Sequence, residues 1–479
     1  MEQFETIIGL EVHVELSTDS KIFCGCSTKF GNKPNSNICP VCVGMPGTLP
    51  VLNKKVVEYA LAAGIALECS INREILFDRK NYFYPDIPKA YQITQTYYPV
   101  AQNGKITIST DNGEKIIGIR EIHIEEDAGK LIHDSKNNRT LIDYNRAGVP
   151  LIEIVSKPDL RSAREAVAYL EKLKMIMTYL GISDCKMQEG SLRVDINLSV
   201  RRAGDKKLGT RTEIKNLNSF KAVARAIESE SQRQIELLKT GKEIVRETRR
   251  WDDDQNMSFR MRSKEEEQDY RYFTEPDLVP TEIAEEWIEQ IKAAMPEFRD
   301  QKIIRYQKEY DLPEYDARVL TSSKKMADLF EKTADLCKKP KDVSNWIMVE
   351  GMRILNEKGI EPDDIITQPD KLSKLVLMVE QGKINRTVAK EVFKKVFLEN
   401  ADPEDYVKEH NLGLISDEYM LRSLAETVLN ENPRSVSDYK KGKTKALGFL
   451  VGQTMKAAKG KADPVLVNKI IKEFLDRQH

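Results

Sequence analysis

Near Pro280 the hydrophobic period of this 479-residue chain changes, and that change restricts the possible folds more than any other feature. From Glu5 to about Pro280, apolar residues recur at every second position in short runs broken by turn pairs such as Asn103-Gly104 and Asn112-Gly113, the pattern of strands. Two helices interrupt them. One is capped by Ser162, carries Ala166, Leu170, Leu173 and Ile176, and stops at Gly181; the other runs from Ser219 to Gly241. Beyond Pro280 the spacing turns helical, with Trp287, Ile291 and Met295 and later Leu372, Leu375, Leu377 and Val379. Pro313, Pro369, Pro403 and Pro433 mark helix boundaries there. The expected fold class is α+β, with a mostly antiparallel sheet domain over residues 1–290, an all-α helical domain over 291–400 and a small helical tail domain over 401–479.

A chain this long exceeds one compact core. Its 32% charged residues, and the lack of any apolar run of about 20 residues, read as a globular protein with no membrane span. The acidic N-terminus leads straight into a strand pattern instead of a basic and apolar leader, so a cytoplasmic location is expected. With a net charge of −1, any surface for a polyanion has to be local.

Period-2 alternation sorts the strand residues onto faces. In the run Thr6–Leu16, Ile8, Leu10, Val12, Val14 and Leu16 share one side, and Glu11, His13 and Glu15 share the other. The pattern recurs with Glu121, His123 and Glu125, with Arg193, Asp195 and Asn197, and with Arg211, Glu213 and Lys215. A lone strand of this kind reads as one solvated face. Repeated acids, histidines and arginines instead supply oxygen ligands for Mg²⁺ and cations for phosphate, the parts that phosphoryl transfer asks of a protein. Lys80, Lys89 and Arg193 flank this face as candidate nucleotide-binding cations.

Four of the seven cysteines form two close pairs, Cys24-Gly-Cys26 and Cys39-Pro-Val-Cys42. Two thiolate pairs separated by a short loop suit a closed tetrahedral Zn²⁺ site, structural because no coordination position is left open. A redox Cys-x-x-Cys would account for only one pair, and unliganded thiols are the other alternative. Cys69, Cys185 and Cys337 read as ordinary buried thiols. Gly442-Lys443-Thr444 is not a phosphate-binding loop, since Ser437 stands where the preceding glycine would be needed. No nucleophile elbow or catalytic cysteine context is present, so any glutamine hydrolysis has to come from another chain. In the tail, residues 435–479 carry ten Lys/Arg (Lys440, Lys441, Lys443, Lys445, Lys456, Lys459, Lys461, Lys469, Lys472 and Arg477) against four acids (Asp438, Asp463, Glu473 and Asp476). The stripe Leu447, Leu450, Val451 and Met455 should dock this segment and leave Lys456 and Lys459 outward, suited to phosphate contacts on folded RNA.

The strings Ile-Gly-Leu-Glu-Val-His-Val-Glu-Leu at 8–16, Phe77-Asp-Arg-Lys-Asn-Tyr-Phe-Tyr-Pro-Asp86 and Pro88-Lys-Ala-Tyr-Gln92 closely resemble the B subunits of heterotrimeric aspartyl/glutamyl-tRNA amidotransferases. Matches continue through Glu125–Lys130, Val149–Ile154, Glu189–Arg193, Glu213–Phe220, Glu247–Arg250 and Asp269–Phe273 to Gly448–Gln453 and Lys459–Ala462. The resemblance implies an N-terminal cradle distantly similar to glutamine synthetase. That cradle would use ATP and Mg²⁺ to phosphorylate the side-chain carboxylate of Glu-tRNA(Gln) or Asp-tRNA(Asn), as part of a ligase that uses glutamine as amide donor. Ammonia would come through a channel from an amidase (glutaminase) subunit, with a small linker subunit joining the two. On this sequence the implied metal and phosphate residues are Glu11, His13, Glu125, Glu126, Asp195 and Glu213, with Lys80 and Lys89 near the channel or nucleotide; the cysteine cluster marks the zinc-containing type. Alternation places Glu11, His13 and Glu125 in one Mg²⁺/ATP site. Two other readings stay open. A free-standing ligase for a small amino acid would leave the basic tail without a purpose, and a noncatalytic tRNA scaffold would leave the acid-and-histidine face without one.

Overall fold

A computed structural model of the chain describes residues 3–134, 136–263, 269–413, 418–458 and 462–477. The chain divides into two compact units, Met1–Pro296 and Glu297–His479.

The first unit is built on a nine-stranded sheet. Its strands are β1 (Phe4–Glu15), β2 (Ser70–Ile71), β3 (Ala101–Thr110), β4 (Gly113–Glu126), β5 (Pro150–Ser156), β6 (Leu192–Arg202), β7 (Thr212–Lys215), β8 (Glu247–Asp252) and β9 (Met257–Ser263), in the spatial order β9-β8-β7-β6-β1-β5-β4-β3-β2. All neighbours are antiparallel except β7 and β8. The α+β class and mostly antiparallel sheet are as the sequence indicates. Ile8, Leu10, Val12 and Val14 of β1 are fully buried with Ile122, Ile124, Ile152, Ile154, Val194 and Ile196. Helices α1 (Lys54–Ala66), α2 (Ala163–Leu180) and α3 (Phe220–Lys239) pack against this sheet. Burying a side chain of that size contributes about 1.5–3 kcal/mol, which fixes β1 in register: a slip by one residue would exchange its apolar and acidic faces.

Helix α2 starts with the Ser162 hydroxyl accepting from Glu165 N and ends at Gly181 with φ 72°, the caps expected from sequence. Ser219 likewise caps α3. The Asn112-Gly113 turn joins β3 to β4, whereas Asn103-Gly104 lies inside β3. There Asn103 adopts φ 56°, and a Cβ on Gly104 would sit 2.5 Å from the Leu67 carbonyl oxygen, so this glycine serves a close approach, not a turn. A separate three-stranded sheet, Phe273–Thr274, Asp78–Asn81 and Tyr91–Thr94, bonds to the end of β4. The helical pattern does not begin at Pro280, because Thr281–Glu282 pairs with Glu74–Ile75. Helix α4 (Glu285–Ala293) follows, burying Ile288 and Ile291 and packing on α1.

The second unit has two cores among its described residues, one spanning Ile303 to Val407 and the other Leu421 to Leu475. Pro369, Pro403 and Pro433 each open a helix, where the missing N–H is harmless, and Pro313 caps another. In the helix Lys445–Ala457, Leu450 is buried, Leu447, Val451 and Met455 pack on the second core, and Lys456 is exposed. Lys459 and Lys461 lie outside the described residues. No described helix is long and apolar enough to cross a membrane.

Candidate active site and metal centres

Strand order turns the alternating acids into two neighbouring groups on one sheet face. The register sets His13 of β1 opposite Glu153 of β5, and Glu153 opposite His123 of β4. On the other side of β1, Glu11 lies opposite Asp195 of β6, and Asn197 lies opposite Glu213 of β7. Ligand atoms of His13, Glu125 and Glu153 fall within 4.8 Å of one another, as do those of Glu11, Asp195 and Glu213. Glu11 thus groups with acids of β6 and β7, and His13 and Glu125 with Glu153, because Glu11 faces Val155 and Asp195 across its strand whereas His13 faces Glu153 and Arg193. The two groups adjoin, since the charge of Glu153 reaches Glu11.

In the first group His13 Nε2 lies 3.5 Å from Glu125 Oε1 and 4.0 Å from Glu153 Oε1, and His123 Nε2 is 3.1 Å from Glu153 Oε2. Burial, and then the charge of Glu153, raises the Glu125 pKa. Burial also works against ionised Glu153, but the histidines outweigh it and hold Glu153 low. His123 is raised despite its burial, because Glu153 favours its charged form. In the second group Asn197 Nδ2 donates to Glu11 Oε1 at 2.8 Å, and Thr248 Oγ1 donates to Glu213 Oε2 at 2.8 Å. Lys215 pairs with Asp195 and, at 3.0 Å, with Glu213. Glu11 is pushed up by burial and by Glu153.

The remaining candidates are placed differently. Glu126 turns away from both acid groups, accepting from Ile93 N at 2.8 Å and pairing with Lys89; Glu126 is buried and the Lys89 side chain is 9% exposed. Lys80 lies over the rings of Tyr82 and Tyr270, at 5.7 and 4.8 Å, close enough to favour the ionised forms of Glu125 and Glu153. Arg193 is held by Asp127 at 2.6 Å, and Asp127 also meets Arg146 at 3.3 Å. Burial, followed by Asp127, raises neighbouring Glu15 to about 8. The sequence reading missed Glu153 as a site residue. Its signal was a single acid within Pro-Leu-Ile-Glu-Ile-Val-Ser, a strand otherwise apolar on both faces.

Both groups have the donor set of a hard divalent cation, and two buried polar atoms beside them, His123 Nδ1 and Asn197 Oδ1, have no hydrogen-bond partner among the described residues. The residues present thus fit Mg²⁺. The four cysteine sulfurs also gather within 4.8 Å, compatible with a zinc tetrahedron whose edges are about 3.8 Å for Zn–S bonds of about 2.3 Å. Cys39 N donates to Cys42 Sγ at 3.2 Å, and the fully buried Lys21 brings Nζ to 3.7 Å from the same sulfur. Hydrogen bonding from Cys24 is the main influence holding the Cys42 thiol down at about 4. Of the other cysteines, Cys185 and Cys337 are buried and Cys69 is half-buried.

Comparison with known proteins bears on the whole chain. Residues 6–289 match the family model described as the GatB/GatE catalytic domain, and residues 328–475 match the GatB domain. A protein from Lachnoclostridium phytofermentans, named as the B subunit of an aspartyl/glutamyl-tRNA(Asn/Gln) amidotransferase, is 62% identical over 477 residues, covering 100% of both chains. Proteins of the same name from Agathobacter rectalis and Caldanaerobacter subterraneus are 60% and 57% identical, each over 99% of this chain and 100% of their own length. With a catalytic-domain match over more than half of the sequence and full-length relatives at these identities, the chain belongs to the family of aspartyl/glutamyl-tRNA(Asn/Gln) amidotransferase B subunits.

Proposed function

We propose that this chain is the ATP-using, tRNA-binding component of an amidotransferase that converts Glu-tRNA(Gln) or Asp-tRNA(Asn) to Gln-tRNA(Gln) or Asn-tRNA(Asn). The observation that carries this reading is the pair of abutting acid groups, His13/Glu125/Glu153 and Glu11/Asp195/Glu213, on one face of the sheet. Those residues would hold Mg²⁺, which would offset the negative charge of the transferring phosphate. His123 fixes Glu153, and Lys215 holds Asp195 and Glu213 together, so the ligand atoms are arranged before nucleotide arrives. A side-chain carboxylate oxygen of the tRNA-bound amino acid attacks the γ-phosphorus of ATP, and ADP leaves. Ammonia then attacks the acyl carbon, phosphate departs, and the surplus proton passes to a neighbouring base. Lys80 and Lys89 border the nucleotide or the ammonia route, and Arg193 supplies a further phosphate cation. Lacking a nucleophile for glutamine hydrolysis, the chain takes ammonia from an amidase partner, and a small linker subunit completes the heterotrimer in the cytoplasm. Zn²⁺ on Cys24, Cys26, Cys39 and Cys42 acts structurally.

The test is ATP turnover by the assembled complex, given glutamine and each misacylated tRNA in turn. Turnover that requires Glu-tRNA(Gln) or Asp-tRNA(Asn) is expected. Turnover driven by free glutamate or aspartate would point to a small-substrate ligase, and its absence with every substrate would leave only a docking role.

A further inference from the structure

The four-cysteine loop does not end at its sulfurs. Directly after Cys42 the chain turns tightly, with Val43 N donating to Cys39 O, Gly44 N to Val41 O, and Met45 N to Pro40 O. Gly44 sits in this turn at φ 70°, and a Cβ there would lie 2.6 Å from Lys89 Cγ and 3.2 Å from Lys89 Cα. The bare glycine is thus the surface against which the Lys89 stem rests. The other half of the cluster touches the same side chain, since Phe23, next to Cys24, presents its ring 5.8 Å from Lys89 Nζ. The Lys89 ammonium pairs with the buried Glu126. A single cavity is bordered by Cys24, Cys42, Gly44, Lys89 and Glu126. Gly148 closes the arrangement, its Cβ position being 3.7 Å from Cys42 Cβ and 3.9 Å from Glu126 Oε2.

We infer that the cysteine loop is a positioning element for the Lys89–Glu126 pair: Gly44 and Phe23 form the seat of Lys89, and metal on the four cysteines holds that seat in shape. Gly44 is then a positioning residue acting through Lys89, and metal loss acts on the pair without any change to the acid groups. This inference rests on the proposed role of Lys89 only where amidation is the readout.

Gly47 provides the control. It has φ 83° in the same loop, yet a Cβ there meets nothing among the described residues within 4 Å, so G47A carries the same kind of backbone strain without touching Lys89. The experiment is lysine acetylation of the assembled complex, read residue by residue by mass spectrometry, with exposed Lys441 and Lys469 as internal references. Wild type, G44A, G47A and chelator-treated wild type are compared. Lys89 labelling should rise several-fold in G44A and in the metal-free complex and stay at the wild-type level in G47A. Amidation in G44A should fall about tenfold or more, the scale of a misplaced reacting group. Lys89 equally shielded in G44A, equally labelled in G44A and G47A, or still shielded after metal removal would overturn the inference. K89M separates the underlying reading: wild-type amidation in K89M would remove Lys89 from the reaction, while the labelling result would still judge the seat.

Discussion

Replacing Glu125 with Gln should make the metal-free protein more stable while ending amidation. Carboxylate oxygens of Glu125 and Glu153 lie within 4.8 Å of each other in a buried setting, which at an effective dielectric of about 20 amounts to about 3.5 kcal/mol of repulsion when both are ionised. His13, 3.5 Å from Glu125, and the Lys80 charge return part of this, leaving a net gain of about 1–2 kcal/mol for E125Q. For a unit of this size that corresponds to a rise of about 2–3 °C in Tm. The pH dependence has a definite sign. The folded-state pKa of Glu125 is raised, so the wild type keeps its full stability below the unfolded value of about 4.3 and loses part of it as pH climbs through the folded value. The advantage of E125Q should therefore be absent near pH 4, open above it and level off at alkaline pH. Millimolar Mg²⁺ should stabilise the wild type by mass action and do so much less for the variant. Thermal unfolding across pH, with and without Mg²⁺, measures all of this. An offset that does not change with pH, or Mg²⁺ stabilisation retained in full by E125Q, would refute the reasoning.

Three further outcomes follow from other parts of the molecule. Because burial and Asp127 raise the Glu15 carboxyl to about 8, stability of the first unit should decline from the unfolded value of about 4.3 up to about pH 8 and level off above it, and E15Q should flatten that limb in a thermal-melt series. Protein purified without added zinc should contain about one Zn²⁺ per chain by elemental analysis; a metal-free preparation with full activity and an unchanged melt would exclude a structural metal. Deleting residues 418–479, which leaves the core ending at Val407 intact, should raise the KM for aminoacyl-tRNA and flatten its salt dependence while ATP binding persists, and an unchanged salt slope would remove the exposed lysines Lys441, Lys445, Lys456, Lys469 and Lys472 from the tRNA contact.

What the sequence disclosed follows the range of the forces involved. Ser162 and Gly181 bound α2 in the structure because caps are settled by atoms within a turn of the chain. Alternation likewise separated Glu11, His13 and Glu15 from the buried Ile8, Leu10 and Val12. It could not say which acids become neighbours, since that depends on β1 lying between β5 and β6. Glu11 therefore joined Asp195 and Glu213 instead of His13 and Glu125. Glu153 was hidden by a strand apolar on both sides, where period 2 gives no contrast. Asn103-Gly104 has the composition of a hairpin turn, but Gly104 is needed by Leu67 and Cys69, which lie far enough back in the chain that no local pattern reports them.

The position of β1 at the middle of the sheet has a consequence for synthesis. Phe4–Glu15 leaves the ribosome well before both strands that flank it, Pro150–Ser156 and Leu192–Arg202. At translation rates of 5–20 residues per second, roughly 10–40 seconds pass before β1 can complete its pairing. Through that interval Ile8, Leu10, Val12 and Val14 are presented on an open strand edge, the kind of segment that pairs with other chains when left exposed. Native pairing this remote in sequence also slows folding after release. The nascent chain should accordingly depend on shielding by a holding chaperone until residues near 202 have emerged, and ribosome-bound chains stalled short of β6 should aggregate more readily than those stalled beyond it.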